Sequence, residues 1–265
     1  MFGITMAESG GEFEAPGPNS FDFDAVPLFQ LGGLAVTKPM VQLLLGALVV
    51  FVFFYAAARR ASLVPGRLQF AGESAYGMVR NSIGRDIIGS HDFLRFVPYL
   101  VTLFFFILIN NAFATLPAIQ FPTFSRASMA YALAAVSWII YNAVGIRKHG
   151  LLGYLKLQSV PSGVSPVMYP LLVPLEFFSN ILVRPATLAL RLFANMFAGH
   201  LLLILFSTGG LFLLQYGGIG YVAGPLAWVL AIAIAFLELL VQFLQAYVFT
   251  LLNAMYISGA LADEH

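Results

Sequence analysis

Residues 39–58 read PMVQLLLGALVVFVFFYAAA, from Pro39 to Ala58, with no charged side chain until Arg59 and Arg60 close the run. At 1.5 Å per residue a helix over this stretch is ~30 Å long, the thickness of a bilayer's hydrocarbon core. A soluble surface helix of that length would show a polar face. This one has none, so it reads as a membrane span. The composition of the 265-residue chain says the same: 60% of residues are hydrophobic, 9% are charged and the mean hydropathy is +0.88. A soluble chain carries about 25% charged residues because it must face water. The expected fold is an all-α membrane protein of about five transmembrane helices, with an interfacial amphipathic helix and a long tilted helical hairpin at the C-terminus.

Working outward, residues 1–37 read as an extracytoplasmic N-terminal arm containing Glu8, Glu12, Glu14, Asp22 and Asp24, with short ordered pieces around Phe21 to Phe29. A cleavable signal would open on basic residues and reach its apolar core sooner, so the first span is expected to be retained. Residues 38–265 read as a single helical membrane domain. Leu68, Ala71, Ala75, Val79, Ile83 and Ile87 recur at helical spacing over about 67–89. That stripe suits a helix lying in the interface, and a plain cytoplasmic connector is the alternative. Further spans are expected at about 97–116, 127–146, 171–207 and 225–257. A Gly/Pro/Ser loop at 151–170 and a Gly-rich break at 209–224 separate the last ones. A helix over 171–207 would reach ~55 Å, so it must tilt or bend, and Pro185 is the expected bend.

Arg59, Arg60, Arg67, Arg80, Arg85 and Arg95 lie between spans one and two, and Arg147, Lys148 and Lys156 follow span three. The opposite side has only Lys38 and Arg126. The positive-inside rule then puts the N-terminus outside and the C-terminus in the cytoplasm. A net charge of +1 gives no footprint for nucleic acid. With no cysteine there is no disulfide, thiolate metal site or Cys nucleophile. Neither a phosphate-binding Gly-rich loop nor a His-Glu-x-x-His is found, so no cofactor, metal or catalytic site is expected. A stand-alone secondary ion transporter is the alternative function, and it predicts internal repeats that the sequence does not display. A purely structural scaffold would leave the intramembrane polar residues unexplained.

Charge inside a membrane helix is costly and calls for a function. Arg191 lies among Leu188, Leu190, Leu192 and Phe193; an ion path is the default reading and a packing salt bridge the bland one. Arg184, nearer the cytoplasmic end, suits a snorkelling anchor. His200 fits either a satisfied core histidine or an aqueous pocket, and Asn195 either a helix glue or a channel wall. Glu238, Gln242 and Gln245 fall within about 60° of one another on the last helix. In an antiparallel hairpin the index sums of level residues stay nearly constant. Arg191 is then level with Gln245, Asn195 with Gln242 and His200 with Glu238. Arg191 and His200, nine residues apart, point to opposite sides of an ideal helix.

The run Leu190-Arg-Leu-Phe-Ala-Asn-Met-Phe-Ala-Gly-His200, with Glu238 and Gln245-Ala-Tyr-Val-Phe-Thr-Leu-Leu252, resembles subunit a of F-type ATP synthases. Asn111-Ala-Phe-Ala-Thr-Leu-Pro117 is similar to the ending of that family's second span, with Ala114 in place of its glycine. The order His200 then Glu238 resembles the mitochondrial branch; many bacterial members have the reverse. The resemblance implies a membrane stator for ion translocation, with a c-ring and a peripheral-stalk b-type subunit as partners within a lipid bilayer. It implies that Arg191 faces the ring and separates two half-channels, that His200 and Glu238 line the outer one, and that Gln245 sits beside the arginine. Asn195 and Gln242 join the same path, Tyr256 keeps its family spacing from Gln245, and Glu176 resembles an acid of the inner half-channel, one position from the usual spacing. The choice between protons and sodium ions lies with the ring. A bacterial plasma membrane is preferred over an organelle inner membrane.

Overall fold

The structure is a computed structural model that describes residues 29–31, 34–59, 62–90, 92–116, 123–159 and 168–262. Most of the N-terminal arm and Asp263 to His265 lie outside the described residues. Within the arm region, β1 (Phe29–Leu31) pairs antiparallel with β2 (Leu34–Val36), Phe29 opposite Val36. Beyond this ribbon the described chain is helical. Five of its helices are long and apolar enough to cross a membrane.

α1 spans Lys38–Arg59, with Pro39 in the first turn, where a missing N–H costs nothing. Its Leu44, Leu48 and Phe51 are exposed, as a lipid-facing surface requires. Gly46 lets α3 approach: a Cβ there would lie 2.4 Å from the Asn110 Nδ2. α2 (Arg67–Val79) runs on into a π-helical stretch, Arg80–Ile88. Only part of its apolar stripe is covered. Val79 and Ile83 are fully buried, whereas Leu68 is exposed.

α3 spans Phe93–Ala112, four residues earlier than the apolar run suggests, because Phe93 and Phe96 pack inward. It is the central helix. Leu100, Phe104 and Ile107 are wholly buried in the main apolar core, together with Leu188, Leu192 and Phe249. A 3-10 turn at Thr123–Ser125 leads to α4, Ala127–Ser159. The loop expected from residue 151 is helical as far as Ser159. Gly150 adopts φ 72°, a region that favours glycine, and this single residue breaks the helix so that 151–159 re-forms as a separate short helix.

The expected span at 171–207 is longer than its apolar core suggests. α5 (Tyr169–Phe178), a π-helical turn (Ser179–Val183) and α6 (Arg184–Tyr216) follow one another without a loop. At the position where a bend was expected, just before Pro185, the helix widens into this π-helical turn. Proline offers no N–H to the carbonyl four residues back, that of Ile181. The indole N–H of Trp138 donates to that carbonyl at 3.0 Å.

The Gly-rich break is also shorter than expected. Gly209 and Gly210 are helical, the turn is only Gly217–Ile219, and α7 runs from Gly220 to Leu261 through Pro225. A Cβ on Gly210 would lie 3.1 Å from the Gly224 carbonyl oxygen, and one on Gly224 2.9 Å from that of Gly210. These glycines bring two helices into backbone contact, the use membrane helices make of small residues. α6 and α7 are antiparallel, as four contacts along them show: Gly210 with Gly224, Gly199 with Glu238, Asn195 with Gln245 and Arg184 with Tyr256.

Candidate functional site

The polar residues of α7 lie on its buried face. Glu238, Gln242 and Gln245 are 3%, 1% and 2% exposed in a helix otherwise made of Leu, Phe, Ile and Ala. Spacings of four and three residues keep them on one side. The neighbouring apolar positions Leu237, Leu240 and Leu244 are exposed, toward lipid or a partner.

α6 presents two different faces. Asn195 and His200 turn toward the bundle, His200 being 6% exposed. Thr187, Arg191, Ala194, Ala198 and Leu202 form an exposed stripe. Arg191 and His200 thus lie on opposite sides of α6, as nine residues of ideal helix dictate. Arg191 is flanked along its stripe by Ala194 and Ala198, too small to shield a guanidinium.

The seam between the two helices is closed by amides. The Asn195 Nδ2 donates to the Gln245 Oε1 at 2.7 Å. The expected level partner was Gln242. Side chains in an α-helix lean toward its N-terminus. In an antiparallel pair the two leans are opposed, so long side chains meet about one turn beyond the level position. Gln242 instead donates to the Thr115 Oγ1 at 2.8 Å and to the Glu238 Oε1 at 3.4 Å. Glu238 rests on the bare backbone of Gly199, where a Cβ would lie 3.4 Å from its Cγ. The carboxylate is therefore packed on the residue next to His200.

Nearer the other end of the hairpin, the Arg184 guanidinium sits 5.3 Å over the Tyr256 ring, which in turn packs on Tyr141 at 5.3 Å. Tyr256 is within electrostatic range of both Arg184 and Arg191. Glu176 stands apart from the seam, on α5. Its Oε2 accepts from the Asn180 Nδ2 at 3.2 Å.

Two contributors were not picked out by sequence reasoning. Thr115 lies inside the segment closing the second span, but nothing in its spacing links it to Gln242. Arg184 suits an anchor by sequence; its place two turns before Arg191 is the signal that it lies on the same stretch of α6 as the seam.

The family described as ATP synthase A chain matches residues 40–258. The chain belongs to the ATP synthase subunit a family. It is 62% identical to ATP synthase subunit a of Nocardioides sp., over 99% of this chain and 98% of that one. Against ATP synthase subunit a of Pseudarthrobacter chlorophenolicus it is 49% identical, covering 98% and 97% of the two chains. Against that of Streptomyces lividans it is 40% identical, covering 97% and 90%. Membership in the family makes it a multi-pass, non-catalytic membrane subunit of a bacterial ATP-synthesising complex, with a part in proton translocation.

Proposed function

We propose that this subunit gives a rotating c-ring two separate aqueous half-channels, and that Arg191 keeps them apart. In this reading a proton enters from outside past His200 and Glu238, with Gln242, Asn195 and Gln245 along the wall, and neutralises a carboxylate of the ring. A neutral site can face lipid, where an ionised one is costly. After nearly a full turn the site meets the inner half-channel, near Tyr256 and Glu176, and releases the proton. An arginine guanidinium keeps its charge at any working pH. Arg191 would draw the ionised ring carboxylate to the stator and deny protons a straight path between the half-channels. Each charge crossing 100 mV supplies ~2.3 kcal/mol, so several crossings serve each ATP formed elsewhere in the complex. A peripheral-stalk b-type subunit would hold the stator still. The arm through residue 37 would lie outside the bacterial plasma membrane and the C-terminus of the 38–265 membrane domain in the cytoplasm.

The observation that carries this reading is the exposure of Arg191 beside Ala194 and Ala198, with the polar seam buried behind it. A charge exposed midway along a spanning helix is unfavourable against lipid, and calls for a partner carrying the opposite charge. The test is Arg191→Ala in the assembled complex. It should abolish ATP synthesis and ATP-driven pumping yet permit passive proton leak, and lysine should not restore coupling because its compact ammonium differs in reach and hydration. Coupled synthesis at a near-normal rate in the alanine variant would refute the assigned role.

A further inference from the structure

The second half of α4 carries a polar run that the half-channel scheme does not use. After the break at Gly150, residues 151–159 form a short helix, and Tyr154 is 3% exposed within it. Its ring occupies a notch in the first half of α4: a Cβ on Gly145 would lie 2.1 Å from the Tyr154 Cε2. The Tyr154 hydroxyl donates to the Asn142 Oδ1 at 3.0 Å and accepts from the Gln158 Nε2 at 2.7 Å. Gln158 lies in the last turn of this helix, where carbonyls have no partner within the helix. Its carbonyl oxygen accepts from the Asn180 Nδ2 at 2.6 Å. The same Nδ2 reaches the Glu176 Oε2 at 3.2 Å. Asn180 is 9% exposed, and it sits in the widened turn between α5 and α6.

We propose that Tyr154 is a positioning residue for proton release on the inner side: seated on Gly145, it sets the helix end whose carbonyl holds Asn180, and Asn180 holds the carboxylate of Glu176. The proposal rests on the reading that Glu176 lines the inner half-channel. It deepens that reading by saying what aims the acid. The two middle links are buried hydrogen bonds and the two outer ones partly buried, and a wrongly aimed carboxylate would present the wrong oxygen to the path.

The test uses the whole complex in inverted membrane vesicles, with ATP-driven proton uptake followed by a pH-sensitive dye and normalised to complex content. Tyr154→Phe keeps the ring on Gly145 and removes both hydroxyl bonds. Asn180→Leu removes the donor on Glu176 directly and leaves the bonds of Tyr154 in place. Each should slow uptake roughly threefold to tenfold, the scale of one lost hydrogen bond. Glu176→Asp shortens the acid out of reach of Asn180, and on that background Tyr154→Phe should cost nothing further. A purely structural tyrosine would instead multiply the loss, and that result overturns the proposal, as would wild-type uptake in Tyr154→Phe. Wild-type uptake in Glu176→Gln would remove the inner-channel reading of Glu176 and this proposal together. A slow Glu176→Gln with a multiplicative Tyr154→Phe overturns the proposal alone.

Discussion

Replacing Asn195 by leucine probes the seam between α6 and α7 at its one direct amide contact. The bond from the Asn195 Nδ2 to the Gln245 Oε1 is 2.7 Å long, and Gln245 is 2% exposed with its Nε2 making no hydrogen bond to the described residues. Asn195→Leu therefore leaves a buried primary amide paired at neither end. In water-soluble proteins an orphaned buried group costs about 1–3 kcal/mol. In membranes interhelical hydrogen bonds average ~0.6 kcal/mol and reach ~1.7, because the separated helices find other partners. The two scales overlap at about 1–1.5 kcal/mol, the loss expected here. Gln245→Leu should cost a similar amount, and the double change should cost little more than either single one, since it orphans nothing. The assay is a double-mutant cycle on equilibrium unfolding of the detergent-solubilised subunit. A coupling of about 1 kcal/mol is expected. Additivity within ~0.3 kcal/mol would mean that the amide pair does not hold the seam, and the account of the register shift would fall with it.

Gly210→Val should destabilise the hairpin by more than about 2 kcal/mol in the same unfolding assay, since its Cβ would lie 2.6 Å from Trp228 and 3.1 Å from the Gly224 carbonyl. Trp138→Phe should lower the thermal midpoint, because it strands the Ile181 carbonyl that Pro185 has already released; an unchanged midpoint would show that the carbonyl finds another donor. The exchange His200→Glu with Glu238→His should pump protons faster than either single exchange, as expected for two groups serving one aqueous pocket; equal or slower pumping counts against the shared pocket. Single cysteines in this cysteine-free chain should report sidedness: Leu63→Cys, 104% exposed, should label from the cytoplasm, and Ile219→Cys, 86% exposed, from outside. Labelling of both from one side would break the proposed topology, and labelling with the two sides exchanged would reverse it.

Much of the fold was legible because lipid imposes simple rules. An uncharged run of the right length, such as Pro39 to Ala58, has few alternatives to a spanning helix. Glycine was where the reading failed, and for a physical reason. In water Gly209 and Gly210 weaken a helix, whereas in a membrane a glycine such as Gly210 lets α7 approach within backbone contact. Gly150 does break its helix, but its φ could not be told from theirs by sequence. The polar face of α7 was legible from spacing alone, and so was the opposition of Arg191 and His200. The pairing of Asn195 with Gln245 was not, because level counting follows Cα positions while contact is made at the ends of leaning side chains. The link from Thr115 to Gln242 crosses 127 positions. No local pattern encodes it.

The contacts on either side of Arg191 also determine how the hairpin carries a sideways load. Taken as a beam, α6 is supported on α7 at Arg184, by the guanidinium over Tyr256, and at Asn195, by the bond to Gln245. Those supports stand about 16 Å apart along the helix, and Arg191 lies about 10 Å from the first and about 6 Å from the second. By the lever rule, about two-thirds of any lateral force applied at Arg191 falls on the amide bond and about one-third on the cation–π contact. The stiffer support, the backbone of Gly210 on that of Gly224, lies about 28 Å from Arg191, beyond the amide bond, and is lightly loaded. A push at Arg191 is thus taken by two side-chain contacts, while the close-packed glycine end of the hairpin is spared it.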